Sequence, residues 1–364
     1  MGLLLLALSA SWAGLEAGPY RVGFETLTLR DYARPFRAEG DDRTRQLTLA
    51  IWYPARQARQ ARQARQARQA RQANDDEPML FGRYVASERE RLAQWIRASG
   101  YRLGDHELSR IMSTETAAFE GAARAPGTFP LLLFGTGLTA PVYLNTVLCE
   151  YLASHGYVAI AVPSMAYRED VSPDYDALTI ETHLRDLELV IHEMRDYPGV
   201  NIENLGLVAW GSGGIAQVLL QMKNPDVAAV ASLDAASGYR YGFELLTSSL
   251  YFERSRATAA FFHATDSRAT TSRAEKSFDY YDSVHRGPKY LLLIEGAAHA
   301  EFTSLASVVP LNGRPEVRRR YRLLCEYVRR FLDLAMKDDT EAAEFLDVTP
   351  SRHGFHGLVL SKRP

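Results

Sequence analysis

The feature that most constrains the fold of this chain is a series of short, continuously apolar segments separated by segments of helical spacing. These apolar segments are "FPLLLFGTG", "GYVAIAVPS", "LGLVAW", "VAAVASLD", "ATAAFFHATD" and "KYLLLIEGAAH". Strands that are apolar on both faces are typical of a mainly parallel sheet covered by helices on each side. The chain has 364 residues, 46% of them apolar, which suffices for one large α/β domain of this kind.

The N-terminal segment, residues 1–17, begins "MGLLLLALSASWAG", and its apolar run is far too short to span a bilayer. It has the apolar part of a secretory signal, with Ser11 and Ala13 as small residues before a cleavage site, but it lacks the usual positive charge. A misassigned start codon or an incomplete signal would give the same pattern. We expect export to the periplasm or the medium, with a cytoplasmic location as the alternative, and no transmembrane segment.

Residues 18–337 are predicted to form the α/β domain, beginning with an antiparallel strand pair, "YRVGFETLTL" and "QLTLAIWYP". Residues 55–77 contain a perfect "ARQ" repeat with no large apolar side chain, so we expect a solvated surface loop. A basic arm that binds an anionic surface is the alternative. Residues 79–118 are predicted to be a helical insertion, either a lid or a packed element without substrate contact. Residues 338–364 are interpreted as a C-terminal surface appendage.

Composition argues against several classes of protein. A formal net charge of -2 gives no reason to expect a nucleic-acid partner. The two cysteines, Cys149 and Cys325, exclude a disulfide-dense framework, and we expect two buried thiols, with a single disulfide as the alternative. His183 and His192 are nine residues apart, which does not give a metal-binding pair on one helix. We therefore expect no metal site and no cofactor.

Polar side chains stand at the ends of the predicted parallel strands, where such sheets bind their ligands. A serine hydroxyl is a poor nucleophile unless an imidazole takes its proton and an acid orients that imidazole. The chain order here is serine, aspartate, histidine, which is the order of the α/β-hydrolase fold. The strand-end residues are Thr136, Ser212, Asp234, Asp266 and His299.

His299, in "GAAHAEFTS", is the best-placed base among nine histidines, because it follows a buried strand in a loop of small residues. Two aspartates compete to orient it. Asp234 ends the strand after the segment that contains Ser212, and Asp266 ends the next strand. The aspartate that is not used is expected to accept hydrogen bonds from loop amides.

From about Gly18 to Leu334, the chain resembles the α/β hydrolases related to platelet-activating-factor acetylhydrolase and dienelactone hydrolase. The segments that carry the resemblance are "GPYRVGFETLTLRDYARPF", "LAIWYP", "FPLLLFGTGLTAPVYLNTVLCEYLASHGYVAIAVP" and "GAAHAEFTS". The resemblance implies an α/β-hydrolase fold and a carboxylic-ester hydrolase for short acyl esters. The acetylhydrolase segment similar to "SLDAASGY" favours Asp234 as the acid, whereas many other α/β hydrolases would use Asp266. The loop similar to "GTGLT" implies that the Leu138 N–H binds the oxyanion, although Thr136 stands where relatives usually have histidine.

The nucleophile turn departs from the family pattern of glycine, any residue, serine, any residue and two glycines. Laid without gaps on "AWGSGG", this pattern assigns Gly211, not Ser212, to the nucleophile position. The residue two before the nucleophile must be small, and Ala209 satisfies this requirement in that register. Glycine also tolerates the strained backbone of the nucleophile position.

The rival register makes Ser212 the nucleophile, with the N–H groups of Leu138 and Gly213 holding the oxyanion. It requires Trp210 to bulge from the turn, which the flanking glycines make less costly. Three hypotheses therefore follow. The first is a Ser212–His299–Asp234 ester hydrolase acting on a small-molecule ester, and the alternative is a non-catalytic pseudohydrolase that binds a ligand or partner in the vestigial pocket. The third is water activation by His299 and Asp234 without a serine.

Overall fold

The computed structural model describes residues 14–37, 43–57, 77–171, 176–266, 275–284, 287–309, 315–353 and 357–363. The signal segment predicted for residues 1–17 and the "ARQ" loop predicted for residues 55–77 therefore lie mostly outside the described residues. Within these ranges, no helix has the length and apolar content that crossing a membrane requires.

One mixed sheet runs through the described part of the chain, in the order β10-β9-β8-β7-β6-β4-β5-β2-β1-β3. Strands β4 to β9 are mutually parallel, β2 runs antiparallel to both β1 and β5, and β10 runs antiparallel to β9. The strands are β1 (Arg21–Pro35), β2 (Thr44–Ala55), β3 (Ala118–Glu120), β4 (Phe129–Gly135), β5 (Val158–Val162), β6 (Val200–Trp210), β7 (Val227–Leu233), β8 (Ala260–Asp266), β9 (Lys289–Ile294) and β10 (Leu358–Arg363).

Helices cover both faces of the sheet, as the apolar strands predicted. Two apolar clusters lie on its opposite faces, one containing α4 and α10 side chains and the other containing α5 and α6 side chains. The helices are α1 (Phe81–Val85), α2 (Arg89–Ala98), α3 (Asp105–Met112), α4 (Thr146–Ser154), α5 (Ala177–Glu193), α6 (Gly213–Lys223), α7 (Arg240–Ser248), α8 (Asp279–Ser283), α9 (Leu305–Val308), α10 (Pro315–Lys337) and α11 (Thr340–Asp347).

The C-terminal segment is part of the sheet, so its interpretation as an appendage was wrong. Strand β10 pairs with β9 over six residues, from Leu358 opposite Ile294 to Arg363 opposite Lys289. Helix α11 packs against α10, where the rings of Phe345 and Tyr327 lie 5.1 Å apart. The free edge of β9 offers unpaired backbone groups, and β10 satisfies them.

The segment between β2 and β3 contains the short helices α1, α2 and α3. It packs beside the ends of the parallel strands, because the Trp95 ring of α2 contacts the Trp210 ring at the end of β6, with 5.9 Å between centroids. Cys149 on α4 and Cys325 on α10 are buried free thiols. Burial raises the pKa of both thiols.

Candidate active site

The candidate site begins at the tight turn that joins β6 to α6. Gly211 follows the last strand residue, Trp210, and has a φ of +63°, a left-handed conformation that glycine adopts without steric cost. Gly213 begins α6 so close to the end of β4 that an added Cβ would lie 2.5 Å from the Thr136 carbonyl oxygen. The two glycines therefore permit a turn that larger residues would distort.

Gly211 lies directly opposite the imidazole of His299. A Cβ built on Gly211 would be 3.7 Å from His299 Nε2 and 3.3 Å from the Gly137 Cα. His299 begins a short 3-10 helix after β9, and its side chain is 51% exposed. The Nε2 atom thus faces a position at which this chain carries no side chain.

Asp234 orients the imidazole. It follows β7 with a φ of +46°, and its Oδ2 lies 2.6 Å from His299 Nδ1. Its other oxygen, Oδ1, accepts hydrogen bonds from Thr265 at 2.5 Å and from Tyr239 at 2.8 Å. Burial raises the pKa of Asp234, but the hydrogen bonds from His299, Thr265 and Tyr239 outweigh burial and lower that pKa to about 2. A carboxylate at Nδ1 leaves the Nε2 lone pair of a neutral imidazole available as an acceptor.

Asp266, the competing acid, has another role in this structure. Its Oδ1 accepts a hydrogen bond from the Gly296 N–H at 2.8 Å. Gly296 lies in the turn between β9 and His299. Asp266 therefore stabilises the loop that carries the histidine, while Asp234 makes the direct contact with the ring.

Ser212 lies at the start of α6 with helical backbone angles, φ −68° and ψ −19°. Its Oγ accepts a hydrogen bond from the Leu138 N–H at 2.6 Å. No hydrogen bond joins Ser212 to His299 among the described residues. The structure thus brings Ser212 to the candidate oxyanion donor and brings Gly211 to the candidate base.

The loop after β4 that carries Leu138 is held by its neighbours. Thr139 has a φ of +59°, and its N–H donates to the Ser164 carbonyl oxygen at 3.0 Å. Arg91 on α2 donates to the Thr139 carbonyl oxygen. Thr136 is fully buried. The position of the Leu138 N–H is therefore set by contacts from two other parts of the chain.

Three contacting residues were not foreseen from the sequence. Trp210 stacks on the His299 ring, with 4.5 Å between centroids, and its Nε1 donates to the His299 carbonyl oxygen at 3.1 Å. Thr265 and Tyr239 complete the hydrogen bonds to Asp234. Thr265 directly precedes Asp266 in the sequence and Tyr239 follows Asp234 by five residues, so their hydroxyls were the available signal, whereas the size of Trp210 indicated only steric crowding in the turn. No group of three or more metal-binding side chains is found among the residues that the structure describes.

Comparisons with known proteins agree with this architecture. No family model matches the sequence, and no curated protein matches it significantly. Among solved structures, a ferulic acid esterase from Streptomyces cinnamoneus superposes with a TM-score of 0.60 at 18% sequence identity, over 90% of this chain and 93% of that chain. This likeness confirms the α/β-hydrolase fold. The narrower resemblance to the acetylhydrolases and dienelactone hydrolases stays a prediction.

Proposed function

We propose that this chain is a hydrolase-fold protein that binds an ester-like small molecule beside His299 and does not form an acyl-enzyme. The observation that carries the proposal is the position of Gly211, whose built Cβ would be 3.7 Å from His299 Nε2. Acyl transfer by this fold needs a hydroxyl or thiol at that position. Glycine supplies neither.

The hydrogen bond between Ser212 Oγ and the Leu138 N–H supports the same proposal. An oxyanion donor stabilises the transition state only if it is free to meet the oxygen of the substrate. A ligand carbonyl would first have to displace the Ser212 hydroxyl. His299 Nε2, as an acceptor, would instead bind a hydroxyl or amide donor of the ligand.

The second candidate is ester hydrolysis with Ser212 as nucleophile, His299 as base, Asp234 as acid and the Leu138 and Gly213 N–H groups as oxyanion donors. The specific observation in its favour is the 2.6 Å contact between His299 Nδ1 and Asp234 Oδ2 beside a half-exposed imidazole. The fold likeness to the ferulic acid esterase supports an ester ligand under both candidate functions. This candidate requires the turn to shift by one residue and Ser212 to leave the Leu138 N–H.

Hydrolysis of 4-nitrophenyl acetate separates the candidates. For the ligand-binding protein, the wild type, Ser212→Ala and His299→Ala should all match the uncatalysed rate. A wild-type rate that both substitutions abolish would establish the serine mechanism in place of our proposal. A rate that only His299→Ala abolishes would show catalysis that depends on His299 and needs no serine, and would also refute non-catalytic binding.

Export remains a proposal that rests on the N-terminal sequence alone. Fractionation of cells that express the full chain tests it. Recovery of a protein shortened at its N-terminus from the periplasm or medium would support export. Recovery of the full-length protein from the cytoplasm would contradict it.

A further inference from the structure

A groove with a volume of about 540 Å³ lies beside the Leu138 loop, between the β1–β2 hairpin, the α1–α2 segment and the loops after β4 and β5. Small-molecule sites typically have volumes of about 300–1,000 Å³. The groove therefore has room for a whole small molecule, and the chemistry of its lining side chains indicates the class of that molecule.

Aromatic side chains form one wall of the groove. The Phe24 ring lies 5.2 Å from the Trp52 ring and meets the Tyr84 ring edge-on at 4.8 Å. The polar atoms of this wall are already paired, because Trp52 Nε1 donates to the Tyr84 hydroxyl at 3.0 Å and that hydroxyl donates to buried Glu150 at 2.7 Å. Trp52 is fully buried behind this wall, so Phe24 and Tyr84, which are 4% and 9% exposed, supply its ring carbon, which favours apolar and aromatic ligand groups.

The charged side chains along the groove already have partners of opposite charge. Arg83 pairs with Glu120 outside the groove, Arg91 pairs with Glu88, and Arg168 pairs with Asp170. The remaining charged side chain of the described lining, Glu169, lies 3.7 Å from Arg37. An ionised ligand would lose hydration here without gaining an unpaired counter-charge, whereas an uncharged ligand would avoid this cost.

The groove and the candidate active site share the loop after β4. Thr139, Ala140 and Pro141 line the groove, and Thr139 directly follows Leu138. The N–H that Ser212 now occupies is therefore one residue away from the groove wall. A molecule in the groove can therefore contact this loop without touching His299 or Ser212.

We propose that the groove binds an uncharged, largely apolar molecule that carries an aromatic ring, with the ring against Phe24 and Tyr84. The inference goes beyond the proposed function, because it assigns a ligand class to a groove whose lining does not include Gly211, Ser212 or His299. It assigns recognition to the hairpin and the α1 helix, at a distance from His299. Binding there involves no bond making or breaking.

Fluorescence titration with N-phenyl-1-naphthylamine, an uncharged aromatic probe, tests this proposal on the full-length protein. The matched anionic probe is 1-anilinonaphthalene-8-sulfonate, which has the same rings and an added sulfonate. Thr48 lines the groove with an exposed side chain on β2, so Thr48→Trp fills the groove without entering the core. Val359→Trp, at an exposed position on edge strand β10, is the control for an added surface tryptophan.

We expect saturable binding of the uncharged probe to one site and at least tenfold weaker binding of the anionic probe. Thr48→Trp should weaken binding of the uncharged probe at least tenfold, while Val359→Trp should bind as the wild type does, with thermal unfolding showing that both variants are folded. Absence of saturable binding, or equal binding by Thr48→Trp, overturns the groove assignment. Equal affinity for the anionic probe overturns the uncharged class. Because neither probe is hydrolysed, these results are separate from the esterase test of the proposed function.

Discussion

Placing a hydroxyl opposite His299 should give this scaffold esterase activity, and that activity should be far higher when the Leu138 N–H is freed as well. In Gly211→Ser, the new Cβ lies 3.7 Å from His299 Nε2, and its hydroxyl comes within hydrogen-bond reach of that nitrogen. The Ser212 hydroxyl still occupies the Leu138 N–H in this variant. Gly211→Ser/Ser212→Ala removes that hydroxyl and leaves the donor for the substrate oxygen.

The magnitudes follow from the geometry. One oxyanion donor contributes about 2.7–4 kcal/mol to the transition state, so the double variant should exceed Gly211→Ser by about 100- to 1,000-fold in kcat. Both variants should lose stability, because a side chain at φ +63° costs about 1–2 kcal/mol. The added Cβ also lies 3.3 Å from the Gly137 Cα, which tightens the turn.

The assay is hydrolysis of 4-nitrophenyl acetate, with folding checked by thermal unfolding. Gly211→Ala/Ser212→Ala is the matched control, since it carries the Cβ and the freed N–H but lacks the hydroxyl, and it should be inactive. Adding His299→Ala to the active double variant should abolish its activity. Equal activity of the serine and alanine double variants would refute the reasoning, as would a folded serine double variant without activity.

Three further predictions concern stability and buried groups. Since the pKa of Asp234 is lowered to about 2, the ionised carboxylate contributes roughly 2 kcal/mol to the free energy of unfolding above about pH 4, and this contribution is lost as the pH falls towards 2. In urea unfolding, the free energy of unfolding of Asp234→Asn should therefore depend less on pH in this window than that of the wild type, and an equal pH dependence would contradict the lowered pKa. Cys149 and Cys325 are buried with raised pKa values, so a thiol reagent should modify them only in denaturant; rapid modification of the folded protein would contradict their burial. Arg45 and Arg34 lie 2.6 and 2.8 Å from fully buried Asp186, so Arg34→Met/Arg45→Met, which removes both counter-charges, should cost about 3–5 kcal/mol in urea unfolding, and a change below 1 kcal/mol would contradict the buried ion pairs.

The protonation of two buried histidines, His183 and His263, and of the half-buried His155 gives a second pH dependence. Burial lowers the pKa of His155, His183 and His263 to about 4 each. The unfolded chain therefore binds more protons than the folded one between about pH 6.5 and pH 4, and the free energy of unfolding should fall as the pH is lowered through this window. Urea unfolding measured at intervals from pH 7 to pH 4 checks this, and a free energy of unfolding that stays constant over that range would contradict the lowered pKa values of these rings.

The fold could be predicted because its main signal is local. Continuously apolar strands alternating with helices imply a covered parallel sheet wherever they occur, and β4 to β9 form one. The C-terminal strand β10 could not be predicted in the same way. Its pairing with β9 depends on an edge that exists only once the sheet has formed.

The outline of the candidate site could also be predicted, because the ends of the parallel strands are visible as local sequence patterns. Strand ends place His299 and both aspartates at one edge of the sheet, but their hydrogen bonds depend on loop geometry, which is why Asp234 and Asp266 remained alternatives. Ser212 Oγ meets the Leu138 N–H across 74 residues of sequence, a contact that no local pattern encodes. The stacking of Trp210 on His299 is likewise a tertiary contact between separate strand ends.

The most direct test of the account is mass spectrometry of the wild-type protein after incubation with a fluorophosphonate probe, with Ser212→Ala and the Gly211→Ser/Ser212→Ala variant treated in parallel. The account predicts no adduct on folded wild type and a single adduct at position 211 of the double variant. An adduct on Ser212 of the wild type, absent in Ser212→Ala, would contradict it and would make this protein a serine esterase with a shifted turn.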